Sequence, residues 1–277
     1  MTVQRPVPDL DTNPDRVSAY GAAVSLGLSD NGPSSWQAAM AQLIRAADLG
    51  YPTAQIQADL LRDWQDQNQW PPLPTMQPLC RAPVILSMAG FLPEAICQYL
   101  ISQAQGLISP ALVYDEATGT GRPDQGRTNQ AGYFKSDDRS LLTALIQRRI
   151  SQASGVPLSG FEPLQVLSYE PGQVFDWHVD YLDPRSDAFR PDLSQRGQRI
   201  ATCLIYLNQD YTDGQTGFQI NDIRHRGSTG DALMWSNVLP DGGVDQATVH
   251  AGLPPRSGRK WVLSQWIRDR PQPSLQP

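Results

Sequence analysis

The sequence predicts an α+β protein in which a small helical region precedes a β-sandwich or jelly roll carrying helices on one side. Three observations predict it. Beyond Pro157 the chain is a succession of short strand-like runs, LQVLSYE, QRIATCLIYLN, ALMWSNV and KWVLSQWIR, separated by Gly, Pro and Asp. Before a proline-rich stretch at 70–78, apolar residues instead recur at helical steps. Finally, 277 residues with 24 Pro, 22 Gly and 40% hydrophobic content describe a turn-rich globular chain, long enough for one sizeable domain and a smaller one.

Taken in order, Trp36, Met40, Leu43 and Ile44 mark a helical pattern over about 36–64, which Gly50 interrupts. A second helix starts near Pro52, where proline suits a first turn. The small residues of AADLGYPTAQ around this turn resemble the helix pairs of tetratricopeptide-related repeats; an unrelated helical extension is the alternative. The helical region is therefore 1–69. A linker at 70–83 follows, because WPPLPTMQP can neither continue a helix nor sit within a central strand. The second domain spans 84–270, with 271–277 as a tail. It opens with a strand at 84–91 and a helix at 93–105, and a further helix covers about 138–153 before the strand-rich half begins.

Charge and cysteine content exclude several classes of function. A net charge of −6 without any run of Lys or Arg leaves no electrostatic footprint for nucleic acid or an anionic membrane. Cys80, Cys97 and Cys203 are odd in number, far apart and without a CxxC, which argues against a disulfide framework and a zinc cage; they read as reduced thiols. The opening MTVQRPVPDLDTNPDR lacks the basic-then-apolar order of a signal peptide, and no stretch approaches ~18 consecutive apolar residues, so a cytoplasmic protein is expected.

The chemistry concentrates around one of only three histidines. His178 and Asp180 lie two apart in FDWHVD, and in a strand such residues face the same side, so an imidazole and a carboxylate can meet at one point. A third ligand must come from elsewhere, and His250 in TVHAG is the better of two candidates. His225 in NDIRHRGS has no acidic partner two residues away and reads as a solvated loop histidine. Two histidines and a carboxylate on one face of an octahedral ion leave three positions open, the arrangement of non-haem iron(II) oxygenases.

These motifs belong to a longer ordered series: FLPEAICQYL, GRTNQAGYF, the helix end QRRI, EPLQVLSYEPGQVFDWHVD, GQRIATCLIYLN, DGQTGF and HAGLPPRSGRKWVLSQWIR. From about Ile85 to Arg268 the chain resembles the prolyl 4-hydroxylase branch of the 2-oxoglutarate dioxygenases. The resemblance implies a double-stranded β-helix core with flanking helices, in which His178, Asp180 and His250 bind Fe(II). It also implies that Lys260, ten residues after the distal histidine, pairs with the far carboxylate of the cosubstrate 2-oxoglutarate, with ascorbate as reductant. That carboxylate, once buried, needs a fixed cation. Arg256 in the preceding loop is the rival cation.

Tyr169, Tyr206 and Thr216 match positions around the same cosubstrate, although the last two also fit as ordinary strand residues. Lys260, Val262, Ser264 and Trp266 share one strand face. Trp266 and Arg199 match substrate-contacting positions, Trp266 otherwise being a core aromatic. Phe175 stands where many relatives have tyrosine, Arg268 where collagen-type enzymes often have histidine, and Asp213 replaces the first glycine of the usual GGxT. The activity implied is hydroxylation of a prolyl residue in a protein or peptide by dioxygen. A hydroxylase of a free amino acid or small biosynthetic intermediate is the nearest alternative, and a non-catalytic binding module a more distant one. A nucleic-acid demethylase is disfavoured by the acidity and by a single Lys260 in place of paired arginines, and Asp180 disfavours a halogenase, which needs a small residue there.

Overall fold

A computed structural model describes residues 14–29, 33–64, 71–115, 120–134 and 140–272. Its helices are α1 (Pro14–Leu28), α2 (Pro33–Asp48), α3 (Pro52–Trp64), α4 (Glu94–Ala104), α5 (Leu141–Ser154) and α6 (Arg190–Arg196). The chain divides into two compact units, Met1–Pro72 with Arg139–Arg148, and Leu73–Asp138 with Arg149–Pro277.

In the smaller unit, α2 buries Trp36, Ala39, Met40, Leu43 and Ala46 at three- and four-residue steps, whereas Ile44 is 42% exposed and lies off that seam. Gly50, at φ +83°, adopts the left-handed conformation that ends the helix. α1 was not legible as a helix. Its inner face is Ala19, Ala23 and Gly27, four apart, so it carries no large apolar stripe. Gly27 is required there, since a Cβ would come within 2.5 Å of Leu141. The buried Gln57 accepts a hydrogen bond from the Leu142 backbone N–H, satisfying one orphan donor in the first turn of α5.

The larger unit holds sixteen strands among the described residues: β1 (Gln77–Arg81), β2 (Val84–Met88), β3 (Ser109–Pro110), β4 (Val113–Asp115), β5 (Thr120–Arg122), β6 (Gln130–Phe134), β7 (Leu164–Tyr169), β8 (Phe175–His178), β9 (Arg199–Tyr206), β10 (Thr212–Asp213), β11 (Thr216–Phe218), β12 (Ile223–His225), β13 (Ala232–Ser236), β14 (His250–Gly252), β15 (Pro255–Ser257) and β16 (Lys260–Arg268). They form an eight-stranded sheet, β1-β2-β13-β9-β16-β7-β6-β3, a four-stranded sheet, β12-β11-β14-β8, and two strand pairs. The sheets are antiparallel and build the double-stranded β-helix. Between them Leu167, Tyr169, Leu204, Tyr206, Trp235 and Val262 of the large sheet pack with Phe218 of the small one.

The four long runs read from the sequence are β7, β9, β13 and β16, and α4 sits where Pro93, extended at its N-cap, allows it to start. The stretch expected as linker to residue 83 carries β1, which includes Pro78. Proline is tolerated because β1 is the sheet edge, and its pairing with β2 is irregular between Pro78 and Cys80. Trp70, the expected start of the 138–153 helix and the tail beyond residue 272 lie outside the described residues. No described helix is long and apolar enough to cross a membrane.

Candidate metal centre and cosubstrate pocket

β8 and β14 are hydrogen-bonded neighbours, and His178 lies directly opposite His250. β8 ends at His178, so Asp180 projects from the bend that follows and not from the strand itself. The three side chains still converge: their ligand atoms lie within 4.8 Å of one another. Nε2 of His250 is 3.4 Å from one Asp180 oxygen and Nε2 of His178 is 3.7 Å from the other.

The hydrogen bonds around this group fit a divalent metal. Nδ1 of His178 faces the Asp176 carbonyl at 2.7 Å, and Nδ1 of His250 faces the Thr248 carbonyl at 2.9 Å. A carbonyl only accepts, so each Nδ1 carries a proton and each Nε2 is the ring atom turned to the centre. Burial, reinforced by His250, pushes His178 down to about 3 and keeps it neutral. Burial opposes ionisation of Asp180, but His250, His178 and the Thr202 hydroxyl outweigh it and hold the carboxyl well below its usual range.

Thr202 on β9 donates to Asp180 Oδ2 at 2.7 Å, and the fully buried Asn237 donates to Thr202 Oγ1 at 3.0 Å. Neither was singled out from sequence, although stepping back by twos from Tyr206 along β9 reaches Thr202. This chain fixes the rotamer of the only carboxylate in the group. Thr202→Val, near in shape but without the hydroxyl, is therefore expected to weaken Fe(II) or Mn(II) affinity by about tenfold while the fold persists. Anaerobic metal titration checks it, and unchanged affinity would remove Thr202 from the positioning role.

Phe175 and His178 are three residues apart, a spacing that regular alternation would send to opposite faces. Two residues of β14 span three of β8 between the pairs His250 with His178 and Gly252 with Phe175, so β8 carries an extra residue. Phe175 consequently stacks on His178 at 3.5 Å, and the Arg127 guanidinium covers the outer face of Phe175 at 4.2 Å.

Behind the three ligand residues lies an inner cavity whose lining includes Tyr169, Thr216, Lys260, Val262, Ser264 and Trp266. Lys260 is 1% exposed and opposes Tyr169 across the β16–β7 pair, its ammonium 5.1 Å from the Tyr169 ring and 5.9 Å from the Tyr206 ring. Among the described residues no carboxylate pairs with it, and burial lowers its pKa to about 7. A buried ammonium without a counter-ion, lining the same cavity as the triad, fits a dianion. Tyr206 donates to Thr216 at 2.9 Å, and of the two Thr216 lines the cavity. Arg256 is 84% exposed and faces Asp213, which occupies the glycine-favoured region at φ +58°.

His225 differs from its sequence reading. It pairs with Thr216 across β12 and β11, stands 5.7 Å from the Tyr206 ring, and its Nε2 is buried. It is a strand residue, and it remains outside the group of ligand atoms.

On the other side of the triad an outer cavity of about 800 Å³ is walled by residues including Arg127, Phe175, Leu182, Phe189, Arg199 and Trp266. Arg199 lies 3.6 Å over the Trp266 ring. Its Nε and Nη2 donate to Glu162 at 2.6 and 3.0 Å, and Nη1 reaches the Asp180 carbonyl at 3.5 Å. Glu162 also receives Arg268 at 2.6 Å. Burial raises the Glu162 carboxyl, but the two guanidinia outweigh that and bring it to about 2. Sequence spacing could not show this hub, because its members are scattered from 162 to 268.

A family model described as the 2OG-Fe(II) oxygenase superfamily matches residues 164–268. Prolyl 4-hydroxylase 1 of Arabidopsis thaliana is 32% identical over 203 residues, covering 68% of this chain and 70% of that protein. The Arabidopsis probable prolyl 4-hydroxylase 9 is 30% identical, covering 71% and 72%. Among solved structures, the viral collagen prolyl hydroxylase of Paramecium Bursaria Chlorella virus-1 in its 2OG complex aligns at TM-score 0.51 and 25% identity over 69% of this chain and 98% of that one. A Trichoplax adhaerens prolyl hydroxylase shares the fold at TM-score 0.50 and 16% identity, over 67% of this chain and 83% of that one. Two cavities meeting at two imidazoles and a carboxylate, on a double-stranded β-helix with these relatives, make the chain a member of the prolyl 4-hydroxylase-like family of Fe(II)- and 2-oxoglutarate-dependent dioxygenases.

Proposed function

We propose that the chain hydroxylates a prolyl residue within a protein or peptide, coupled to oxidative decarboxylation of 2-oxoglutarate to succinate and carbon dioxide. The observation that carries this reading is a metal-ligand triad shared by an inner cavity lined by an unpaired lysine and an outer cavity wide enough for a segment of chain, in a relative of named prolyl 4-hydroxylases. His178, Asp180 and His250 would hold the iron. Lys260 would pair with the far carboxylate of 2-oxoglutarate, beside Tyr169 and the Tyr206–Thr216 hydroxyl pair. Iron(II) with its cosubstrate supplies the activation of dioxygen when bound.

The protein's own part is positioning and exclusion of water. Thr202 and Asn237 orient Asp180, Phe175 shields one face of His178, and the Arg199–Trp266 stack forms a wall for the substrate. An extended, proline-restricted segment suits such a wall because it loses little conformational entropy on binding. Arg268 is committed to Glu162 and Asp192, which favours a specific protein loop over a collagen-like polymer. The three cysteines are free, and burial pushes the thiols of Cys97 and Cys203 up to about 12, in keeping with a reducing compartment such as the cytoplasm.

The test is incubation with iron, ascorbate and 2-oxoglutarate, in the presence of cell lysate or free proline. Peptides heavier by one oxygen at proline, with metal-dependent succinate, are the expected result. Oxidation confined to a small metabolite, with no hydroxyproline in peptides, would overturn it in favour of the free amino acid alternative.

A further inference from the structure

We propose that the substrate carries a carboxylate beside the carbon to be hydroxylated, and that Arg127 receives it. The inference takes the outer cavity as the substrate site, and so rests on the hydroxylase reading just given.

The charge balance of the outer cavity leads to it. The chain as a whole is acidic, at −6. The cavity wall is the opposite: Arg127, Arg196, Arg199 and Arg268 all line it. Three of these share two carboxylates. Glu162 faces Arg199 and Arg268 at 2.6 Å and Arg196 at 3.8 Å, while Asp192 faces Arg268 at 2.8 Å and Arg196 at 3.3 Å. Asp183 also lines the cavity and is paired with Arg185 at 2.9 Å, and Asp180 belongs to the metal group. Among the described residues Arg127 makes no ion pair with a carboxylate: Nη1 donates to the Leu112 carbonyl at 3.1 Å, the guanidinium plane rests on Phe175, and Nε is buried without a hydrogen-bond partner. Set against Glu162 and Asp192, the four guanidinia leave two positive charges over, one of them on a single desolvated guanidinium with donors to spare.

Burying an unpaired cation is costly, and burial duly makes the protonated guanidinium harder to hold. In the inner cavity the same situation, at Lys260, marks the seat of the cosubstrate's far carboxylate. Iron(II), Asp180, the dianionic cosubstrate and Lys260 together sum to no net charge, so the surplus on the outer wall is not consumed by the cofactors. A carboxylate from the substrate neutralises the share of it carried by Arg127. Its place is defined by the layers: Phe175 lies 3.5 Å from His178 and Arg127 lies 4.2 Å beyond Phe175. A carboxylate on Arg127 is one aromatic ring removed from the ligand set, close to the reacting carbon and too far to compete for the metal. The planar fork of Arg127 suits a carboxylate in particular. The carboxylate has two sources, an acidic side chain next to the target proline or the free α-carboxylate of a terminal or unattached proline.

The experiment pairs each acid with its amide. Prolyl peptides flanked by Asp or Glu are compared with the Asn or Gln versions, a peptide ending in proline with its C-terminal amide, and proline with prolinamide. Binding is read by calorimetry on the Mn(II)- and 2-oxoglutarate-loaded full chain without oxygen, and hydroxylation separately by mass. At least one acid should bind about tenfold or more tightly than its amide in the wild type, Arg127→Gln should abolish that preference, and Arg127→Lys should keep part of it. Flanking-acid or terminal-acid pairs identify the source. Equal binding within every pair, or a preference that survives in Arg127→Gln, overturns the proposal. An Arg127-dependent preference for acids without any hydroxyproline would uphold it while refuting the prolyl reading.

Discussion

His178→Ala, Asp180→Ala and His250→Ala are each expected to bring succinate release and hydroxylation to background, with bound iron lost and the circular dichroism spectrum retained. The effect is large because each residue contributes one of only three protein ligand atoms in the group. The fold should survive because the β8–β14 and β14–β11 ladders are made by backbone and do not depend on these side chains. His225→Ala is the control: the residue lies on β12, outside the group, and iron content should be unchanged. Loss of iron in the His225 variant with folding intact, or full activity without His250, would mean that the third ligand is another residue.

Lys260→Ala is expected to raise the 2-oxoglutarate requirement by about two orders of magnitude or more, since leaving a buried carboxylate unpaired costs on the order of 3 to 5 kcal/mol. Arg256→Ala should change it little, because that side chain is exposed and faces Asp213. The lysine also sets a pH dependence. Burial holds its pKa near 7 before the anion arrives, and only the protonated form attracts a carboxylate. Cosubstrate affinity is therefore expected to be full below pH 7 and to decline as pH rises through 7 toward 9. Lys260→Arg, which stays charged across that range, should flatten the profile. Measuring the KM for 2-oxoglutarate from pH 6 to 9 in the three proteins checks both statements. A larger effect from Arg256→Ala than from Lys260→Ala would transfer the role to Arg256.

The parts of the fold that were legible are those whose side chains alone determine their environment. β7, β9, β13 and β16 are long, apolar and mostly buried, so the composition of each run was enough. β11, β12 and β14 are three residues each, and such strands exist through their partners, not through their own propensity. α1 escaped because a seam of Ala and Gly gives no apolar periodicity. At the site, the two-residue spacing of His178 and Asp180 brought them into one reading, although the strand stops between them. His250 needed the resemblance, since nothing local links it to residues seventy positions earlier. The Glu162 hub and Arg127 depend on which strands become neighbours, and that information is not local. His225 was misread because polar neighbours suggested solvent, whereas pairing with Thr216 carries it indoors beside Tyr206.

The extra residue in β8 has a bearing on how this stretch can be redesigned. Because side chains alternate, shortening a regular strand by one residue turns everything beyond the cut to the other face. In β8 the extra residue has already absorbed that step: without it Phe175 and His178 would stand two apart and still share a face, whereas deleting Val179 would make His178 and Asp180 adjacent, and adjacent side chains of an extended chain point apart. A library meant to broaden the substrate range should therefore vary identity at Phe175 and Trp177 and leave the count from His178 to Asp180 untouched.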